Sequence, residues 1–336
     1  MPWNRGIAAG AAAGTGLVVA GLMARYAAGA ARADRSWPGQ VEAGLRDISE
    51  VDEVSILPLV ERLTRYGSGL AGEPGVSYLI RAGDTRVLFD AGLSGGKARS
   101  ALARNAQELG VDLGGLDAVV ISHLHADHVG GVRAMRQRTF SFAREPLEPR
   151  GVPAYVPAQM RHPRADVIPV TGPRVIAPGL AVLPPLPRML FWPGYITEQA
   201  LVVNTRGYGL VLISGCGHPQ IERILGITEQ VLDAPIRAVA GGLHLPIHPA
   251  GTPLVPQAVL GNPHPPWRPI SERDAANVLD EQAARGPQLI ALSSHDSTPW
   301  TYDAFARRFG DRYQTLRAGQ ALTISATAGT QEGRLR

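Results

Sequence analysis

The chain of 336 residues holds a single cysteine, Cys216, which excludes an intramolecular disulfide and any zinc cluster built from several thiolates. It also reads as having neither the Gly-x-x-x-x-Gly-Lys-Ser/Thr loop of nucleotide triphosphatases nor the Gly-x-Ser-x-Gly elbow of acyl-enzyme hydrolases. Aromatic residues make up only 6%, and the arginines that bring the formal net charge to +4 are scattered rather than gathered in a stripe. That distribution argues against a nucleic-acid partner and leaves a small anionic or ester substrate. No internal repeat is present. With 45% hydrophobic and 18% charged residues, the composition is that of a globular protein able to bury a large core.

Charge is also missing from Gly6 to Met23. A helix of that length is about 27 Å long, close to the hydrocarbon thickness of a bilayer. Residues 1–33 therefore read as an N-terminal hydrophobic helix that anchors the chain in a membrane, which becomes an expected partner. Arg5 before the segment and Ala31-Arg32-Ala33 after it also resemble a cleavable signal, the second reading, with a secreted or periplasmic product. An ordinary Ala-rich helix is the third reading. Arg25, Arg32 and Arg35 follow the segment, an imbalance that favours a cytoplasmic catalytic domain.

Residues 34–54 read as a polar linker and 55–336 as one catalytic domain of alternating strands and helices. Val76 to Ile80 and Arg86 to Phe89 form a predicted hairpin around Gly83-Asp84, and the second strand delivers Asp90. Ala98 to Leu109 has apolar residues at helical spacing. Leu116 to Ile121 is a short apolar run without helical length, which favours a buried strand, and it leads into Ser122. Prolines break up Val152 to Pro193 into loops and short strands. Beyond it the pattern predicts a strand pair (Ala200 to Thr205, Gly209 to Ser214), a helix (Ile221 to Leu232) and a strand (Ile236 to Ala240). Pro246 to Pro269 is again proline-rich. A last helix (Glu272 to Arg285) and buried strand (Leu289 to Leu292) follow, the strand running into His295.

The chemistry concentrates after the Leu116 to Ile121 strand. Ser122-His123-Leu124-His125-Ala126-Asp127-His128 puts three imidazoles and a carboxylate within six positions. These are ligands of zinc and related divalent ions, and a loop at a strand end can aim alternate side chains at one point. Positions i and i+2 converge on one metal and i+4 and i+5 on a neighbour if the loop turns into a helix at Ala126. A surface histidine cluster is the competing reading.

The His-x-His-x-Asp-His motif after an apolar strand, with Leu88-Phe89-Asp90-Ala91-Gly92 before it, resembles the metallo-β-lactamase superfamily. The resemblance implies an α/β fold, the αββα four-layer sandwich, and two divalent metal ions, zinc first with manganese or iron as alternatives. It implies that His123 and His125 hold one metal and Asp127 and His128 the other, with Asp90 fixing the orientation of a metal-bound imidazole. Three further motifs end in histidine: Ser214-Gly215-Cys216-Gly217-His218, Gly241-Gly242-Leu243-His244-Leu245 and Ser293-Ser294-His295-Asp296. With Glu198-Gln199-Ala200 and Asn105-Ala106, they resemble the branch of dihydropterin ribofuranosylaminobenzene phosphate synthase-like proteins from about Ser55 to Ile324.

By that resemblance His218 is a metal ligand and His295 the late histidine of the second metal, while His244 contacts the metal or a substrate phosphate. Where most of the superfamily has a bridging Asp this chain has Cys216, which reads as a thiolate ligand, a group behind the ligands, or a small buried residue. Asp296 departs from the branch's His-Cys-Thr-Gly ending. His162, His248 and His264 lie in proline-rich loops and read as solvent-facing. Phe191, Trp192 and Trp267 read as a hydrophobic lid or as loop anchors, and Pro246 to Pro269 as a lid or membrane-facing insertion.

Two metals would activate a water for attack on a small phosphodiester, ester or lactone, with Asp127 and His244 as the groups that move a proton to the leaving group. A synthase or transferase acting on a phosphorylated pterin precursor is the alternative that the branch implies. A membrane-tethered binding protein without catalysis is the alternative suggested by Cys216 and Asp296.

Overall fold

The computed structural model describes residues 3–37, 44–97, 99–143, 149–248, 259–326 and 329–333, with residues 3–18 and 329–333 as backbone alone. Among the described residues, seventeen strands and seven α-helices are numbered in chain order. One eight-stranded sheet runs β17 (Gly329–Gly333), β16 (Ala321–Ser325), β1 (Glu53–Val60), β2 (Ser77–Ala82), β3 (Thr85–Phe89), β4 (Ala118–Val120), β5 (Pro153–Val156), β6 (Asp166–Pro169). A seven-stranded sheet runs β15 (Tyr313–Thr315), β14 (Leu289–Leu292), β13 (Ile236–Gly241), β12 (Gly209–Ser214), β11 (Leu201–Thr205), β8 (Leu180–Val182), β7 (Arg174–Ala177). Strands β9 (Leu186–Met189) and β10 (Tyr195–Glu198) form a separate ribbon.

The sheets stack because their strands are apolar on both faces. In β2 and β3, Tyr78, Ile80, Val87 and Phe89 point to the core between the sheets, while Leu79 and Leu88 point outward. In β11 and β12, Leu201, Val203, Val211 and Ile213 face inward and Val202, Leu210 and Leu212 outward. This period of two with both faces apolar is what a sheet covered on both sides requires. Outside the first sheet lie α2 (Ala101–Glu108), α3 (Ala126–Val129) and α4 (Val132–Gln137), which contribute Leu102, Val129 and Ala134 to one outer core. Outside the second lie α5 (Ile221–Val231), α6 (Glu272–Arg285) and α7 (Pro299–Phe309), with Ile224, Leu225, Leu279 and Phe305. The four layers are thus the predicted αββα sandwich. Phe89 is fully buried, and its truncation to alanine would cost roughly 3–5 kcal/mol.

Several elements keep their predicted bounds because local chemistry marks their ends. Ser271 and Asp274 close a reciprocal capping box at the start of α6, and Gly286 ends it in the left-handed conformation. The predicted hairpin pairs antiparallel, Leu79 opposite Leu88.

The N-terminal helix α1 (Trp3–Arg35) corrects the membrane expectation. Among the described residues, no helix is long and apolar enough to cross a membrane. The side chains of residues 6–18, most of the uncharged segment, lie outside the described ones. In the part that is described, α1 carries Arg25, Arg32, Asp34 and Arg35 and docks on the sandwich. Tyr26 donates to the Pro263 carbonyl at 2.6 Å, Arg32 stacks over Tyr195 at 4.7 Å, and Asp34 pairs with Arg223 at 3.7 Å. A membrane anchor, a membrane partner and a cleaved signal find no support in this helix. Residues 249–258, the middle of the expected insertion, lie outside the described residues.

Candidate metal centre

Strands β3 and β4 run parallel, as do β12, β13 and β14, and each pair of neighbours therefore ends on the same edge of its sheet. The polar residues that follow these strands gather where the two edges meet. After β4 the backbone runs extended through His125, which caps α3, and this single turn projects Asp127 and His128. Gly130 closes it with φ +88°, a left-handed position where a Cβ would also run into the Ser141 carbonyl.

Two ligand groups result. His123 Nε2 stands 2.9 Å from His125 Nδ1, which stands 3.2 Å from His218 Nε2. Cys216 Sγ stands 3.1 Å from His128 Nε2 and 3.1 Å from His295 Nε2, and Asp127 Oδ2 lies 3.7 Å from His128 Nε2. Cys216 belongs to both: its sulfur falls within 4.8 Å of ligand atoms in a group with His123 and His218, and in another with Asp127, His128 and His295. A third, overlapping set joins Cys216 to His244 and Asp296. Every residue named as a ligand in the sequence is thus brought to one place, with Cys216 at the centre.

The donors fit divalent ions better than they fit one another. A neutral imidazole carries one proton, so His125 Nδ1 cannot satisfy both nitrogens facing it, and Cys216 faces two imidazoles with at most one S–H. His125 Nε2 and His218 Nδ1 are buried without a hydrogen-bond partner among the described residues. Imidazole nitrogen, carboxylate and thiolate converging at these spacings form a zinc-type donor set. Burial holds His123 and His218 well below the usual imidazole range and His125 at about 4, so these rings are neutral. Burial would also lower His128, but Asp90 and Asp127 outweigh it and raise it to about 9. Burial, then the surrounding carboxylates, pushes the Cys216 thiol up, and a bound cation is what would favour its thiolate.

A frame of buried carboxylates holds the ligands. Asp90, at φ +62°, accepts from the Ser122 N–H at 2.7 Å and the Ser122 hydroxyl at 2.6 Å, and its Oδ2 lies 2.7 Å from His128 Nδ1. Ser122 Oγ in turn stands 2.9 Å from His123 Nδ1. Glu198 accepts the backbone N–H groups of Cys216, Gly217 and His218 at 2.9, 2.7 and 2.9 Å, and burial raises it to about 7. Asp296, raised by burial to about 8, accepts the His244 N–H at 2.8 Å and holds that residue at φ +47°. Strain of this kind at His244 and Asp90 is characteristic of functional sites.

Glu61 is a member of this frame that the sequence reading missed. It ends the apolar run of β1 with no exposed surface and accepts from Tyr78, Ser293 and Ser294. Burial raises it, against the hydrogen bonds from those three residues that lower it. The signal available in the sequence was a lone acid closing a buried strand.

The groups form the floor of a cavity of about 490 Å³. Arg62, Asp127, Cys216, His244, His295 and Asp296 supply its polar wall, and Pro74, Leu93, Val132, Met135, Trp192 and Leu260 its apolar one. Trp192 is 53% exposed at the rim, whereas Phe191 packs against Tyr26 and Trp267 as a loop anchor. His162 is no loose surface group: its ring stacks on Phe140 at 4.4 Å and its Nδ1 accepts from the Ala165 N–H at 3.0 Å. His248 and His264 lie half-buried outside the ligand groups. Gly92-Leu93-Ser94-Gly95-Gly96 does have the letters of a nucleophile elbow, which corrects the expectation that the sequence lacks one. Ser94 Oγ is used to accept the Ala101 N–H at 2.9 Å, in a loop rather than a strand-to-helix turn.

Residues 70–141, which include Asp90 and the histidine motif, match the family model of the metallo-β-lactamase superfamily. Among relatives, the anti-Pycsar protein Apyc1 of Paenibacillus sp. (strain J14) is 34% identical over 20% of this chain and 26% of its own length. The exodeoxyribonuclease WalJ of Streptococcus pneumoniae serotype 2 is 35% identical over 22% and 26%, and the ribonuclease TTHA0252 of Thermus thermophilus 45% identical over 17% and 12%. The chain thus spans only about a quarter of the curated relatives it matches first. The fold is that of the metal-dependent hydrolase Tm1679 of the β-lactamase superfamily, with TM-score 0.56, 23% identity, and coverage of 81% of this chain and 99% of that one.

Proposed function

For a chain whose residues 70–141 match the metallo-β-lactamase superfamily model, we propose a hydrolase that uses two divalent metal ions to cleave a phosphodiester. The observation that carries this reading is the pair of ligand groups sharing Cys216 on the floor of an open cavity. His123, His125 and His218 would hold one ion, Asp127, His128 and His295 the other, and Cys216 both. Bound there, the ions would supply hydroxide near neutral pH and draw charge from a phosphoryl oxygen. The chain's own residues do the rest. Asp90 and Glu198 fix the ligands, Arg62 lines the cavity as a cation for a second phosphate oxygen, and His244, on the same polar wall, donates the proton to the departing oxygen.

The diester rather than monoester choice is supported by the names of WalJ and TTHA0252, a DNase and an RNase, which also reopens the nucleic-acid partner that the scattered arginines argued against. Zinc- or manganese-loaded protein is expected to hydrolyse bis(p-nitrophenyl) phosphate, and His128→Ala to abolish turnover. Full metal loading with no diester turnover would sink the proposal.

The apolar wall favours a second reading, an ester or lactone with an apolar acyl chain, for which Val132, Trp192 and Leu260 are the contact surface. Preference for a long-chain lactone over the diester would establish it. The finer kinship with the dihydropterin ribofuranosylaminobenzene phosphate synthase-like branch, and a synthase on a phosphorylated pterin precursor, rests on sequence motifs alone, chiefly Ser-Gly-Cys-x-His and Gly-Gly-x-His-Leu.

A further inference from the structure

We propose that Glu61 is a positioning residue for the second ligand group: acting through Ser293, it fixes His295 as the tautomer whose Nε2 carries a lone pair. The inference rests on the reading above that His295 holds a metal. Its argument is a count of protons. Ser293 Oγ lies 2.5 Å from Glu61 Oε1 and 2.5 Å from His295 Nδ1, and a serine has one hydroxyl proton to give.

The other donors around Glu61 decide where that proton goes. Its Oε1 accepts from the Tyr78 hydroxyl at 2.6 Å, and its Oε2 from the Ser294 N–H at 3.0 Å and the Ser294 hydroxyl at 2.8 Å. The backbone N–H of Arg62 also points to Oε2, at 3.3 Å. A carboxyl group so surrounded is an acceptor, and it takes the Ser293 proton. The serine oxygen is then left to accept from Nδ1–H of His295. That leaves Nε2 unprotonated, 3.1 Å from Cys216 Sγ. With the relay reversed, Ser293 would donate to Nδ1, Nε2 would carry the proton, and the ligand would be lost.

The other half of the molecule holds the same arrangement. Asp90 accepts the Ser122 hydroxyl, whose oxygen faces His123 Nδ1. Each half of the sandwich thus contributes one buried acid that orients a histidine through a serine.

The test is Glu61→Gln, whose amide can donate to Ser293 and permit the wrong tautomer. Titration of metal-free protein with zinc or cobalt is expected to show two tight ions in the unaltered protein. In the variant one ion should bind about 10- to 100-fold more weakly, with the corresponding change in the cobalt–thiolate absorption. Ser293→Ala should reproduce the effect and serves if Glu61→Gln does not fold. Tyr78→Phe removes another hydrogen bond to Glu61 but spares the relay, and should lower thermal stability with both ions retained. Two ions of undiminished affinity in Glu61→Gln, or equal metal loss in Tyr78→Phe, would overturn the proposal. In metal-free protein, nitrogen NMR of His295 should place the proton on Nδ1. A proton on Nε2 overturns the relay, whereas a protein that binds no metal while keeping the Nδ1 proton refutes only the proposed function.

Discussion

Gly215 tests whether the two halves are held in register by close approach alone. A Cβ there would collide with Ser122 Oγ and sit 2.7 Å from Ser122 Cβ and 3.2 Å from His123 Nδ1. Ordinary carbon contacts are about 3.5–4.0 Å, so Gly215→Ala requires a displacement on the order of 1 Å. Ser122 cannot relieve it by rotating, because the Cβ contact would remain and the 2.6 Å bond to Asp90 would be lost. Overpacking costs about 1–3 kcal/mol and a hydrogen bond to a charged group about 1.5–3, so the loss is about 3–5 kcal/mol. At just under about 2 °C per kcal/mol for a domain of this size, that corresponds to a fall of about 5–8 °C in thermal midpoint. The strained elements carry Cys216 and His123, and a misplacement of about 1 Å is enough to cost about 100-fold in rate. Differential scanning fluorimetry and metal analysis of the same preparation measure both effects, and adding Ser122→Gly should restore part of the midpoint. A Gly215→Ala protein with unchanged midpoint and full metal content would refute the reasoning.

Asp90→Asn keeps the size of the side chain but weakens its grip on His128 and Ser122; metal affinity or activity should fall about 10- to 100-fold, read by competition with a zinc dye. Asn105 is buried and bonds the Leu59 and Ala71 carbonyls and the Ala71 N–H, so Asn105→Ala should cost about 2–4 kcal/mol in denaturant unfolding while metal content is unchanged. Loss of metal in that variant would mean that the outer layer and the centre are coupled. Chelation should lower the thermal midpoint, since an ion at about 100 times its Kd adds about 2.7 kcal/mol per site, and adding zinc back should restore it. A midpoint indifferent to chelator after metal removal would contradict a centre that bridges both halves.

The parts of the site legible in the sequence are those written locally. His123, His125, Asp127 and His128 sit within six positions, and α6 and β14 carry their own boundary chemistry in Ser271, Asp274 and Gly286. The sharing of Cys216 was legible only through the resemblance, as one of three readings at the bridging position, because its sulfur meets His128 and His295 through contacts 88 and 79 residues apart along the chain. Glu61 showed only as a lone acid closing a buried strand, its partners Ser293 and Ser294 being 232 and 233 residues away. The N-terminal segment misled because absence of charge was weighed above its surroundings. Tyr26, Arg32 and Asp34 find partners on the sandwich, which a sequence window cannot see.

Neither ligand group belongs to one half of the molecule. His123 and His125 come from the first sheet's edge and His218 from the second; Asp127 and His128 come from the first, and Cys216 and His295 from the second. A bound ion would therefore act as a rivet through a seam, and the seam as a fuse. Any event that opens the two sheets by an ångström or two would unfasten both ions together, so that loss of cofactor and loss of global structure would be a single cooperative event rather than successive ones.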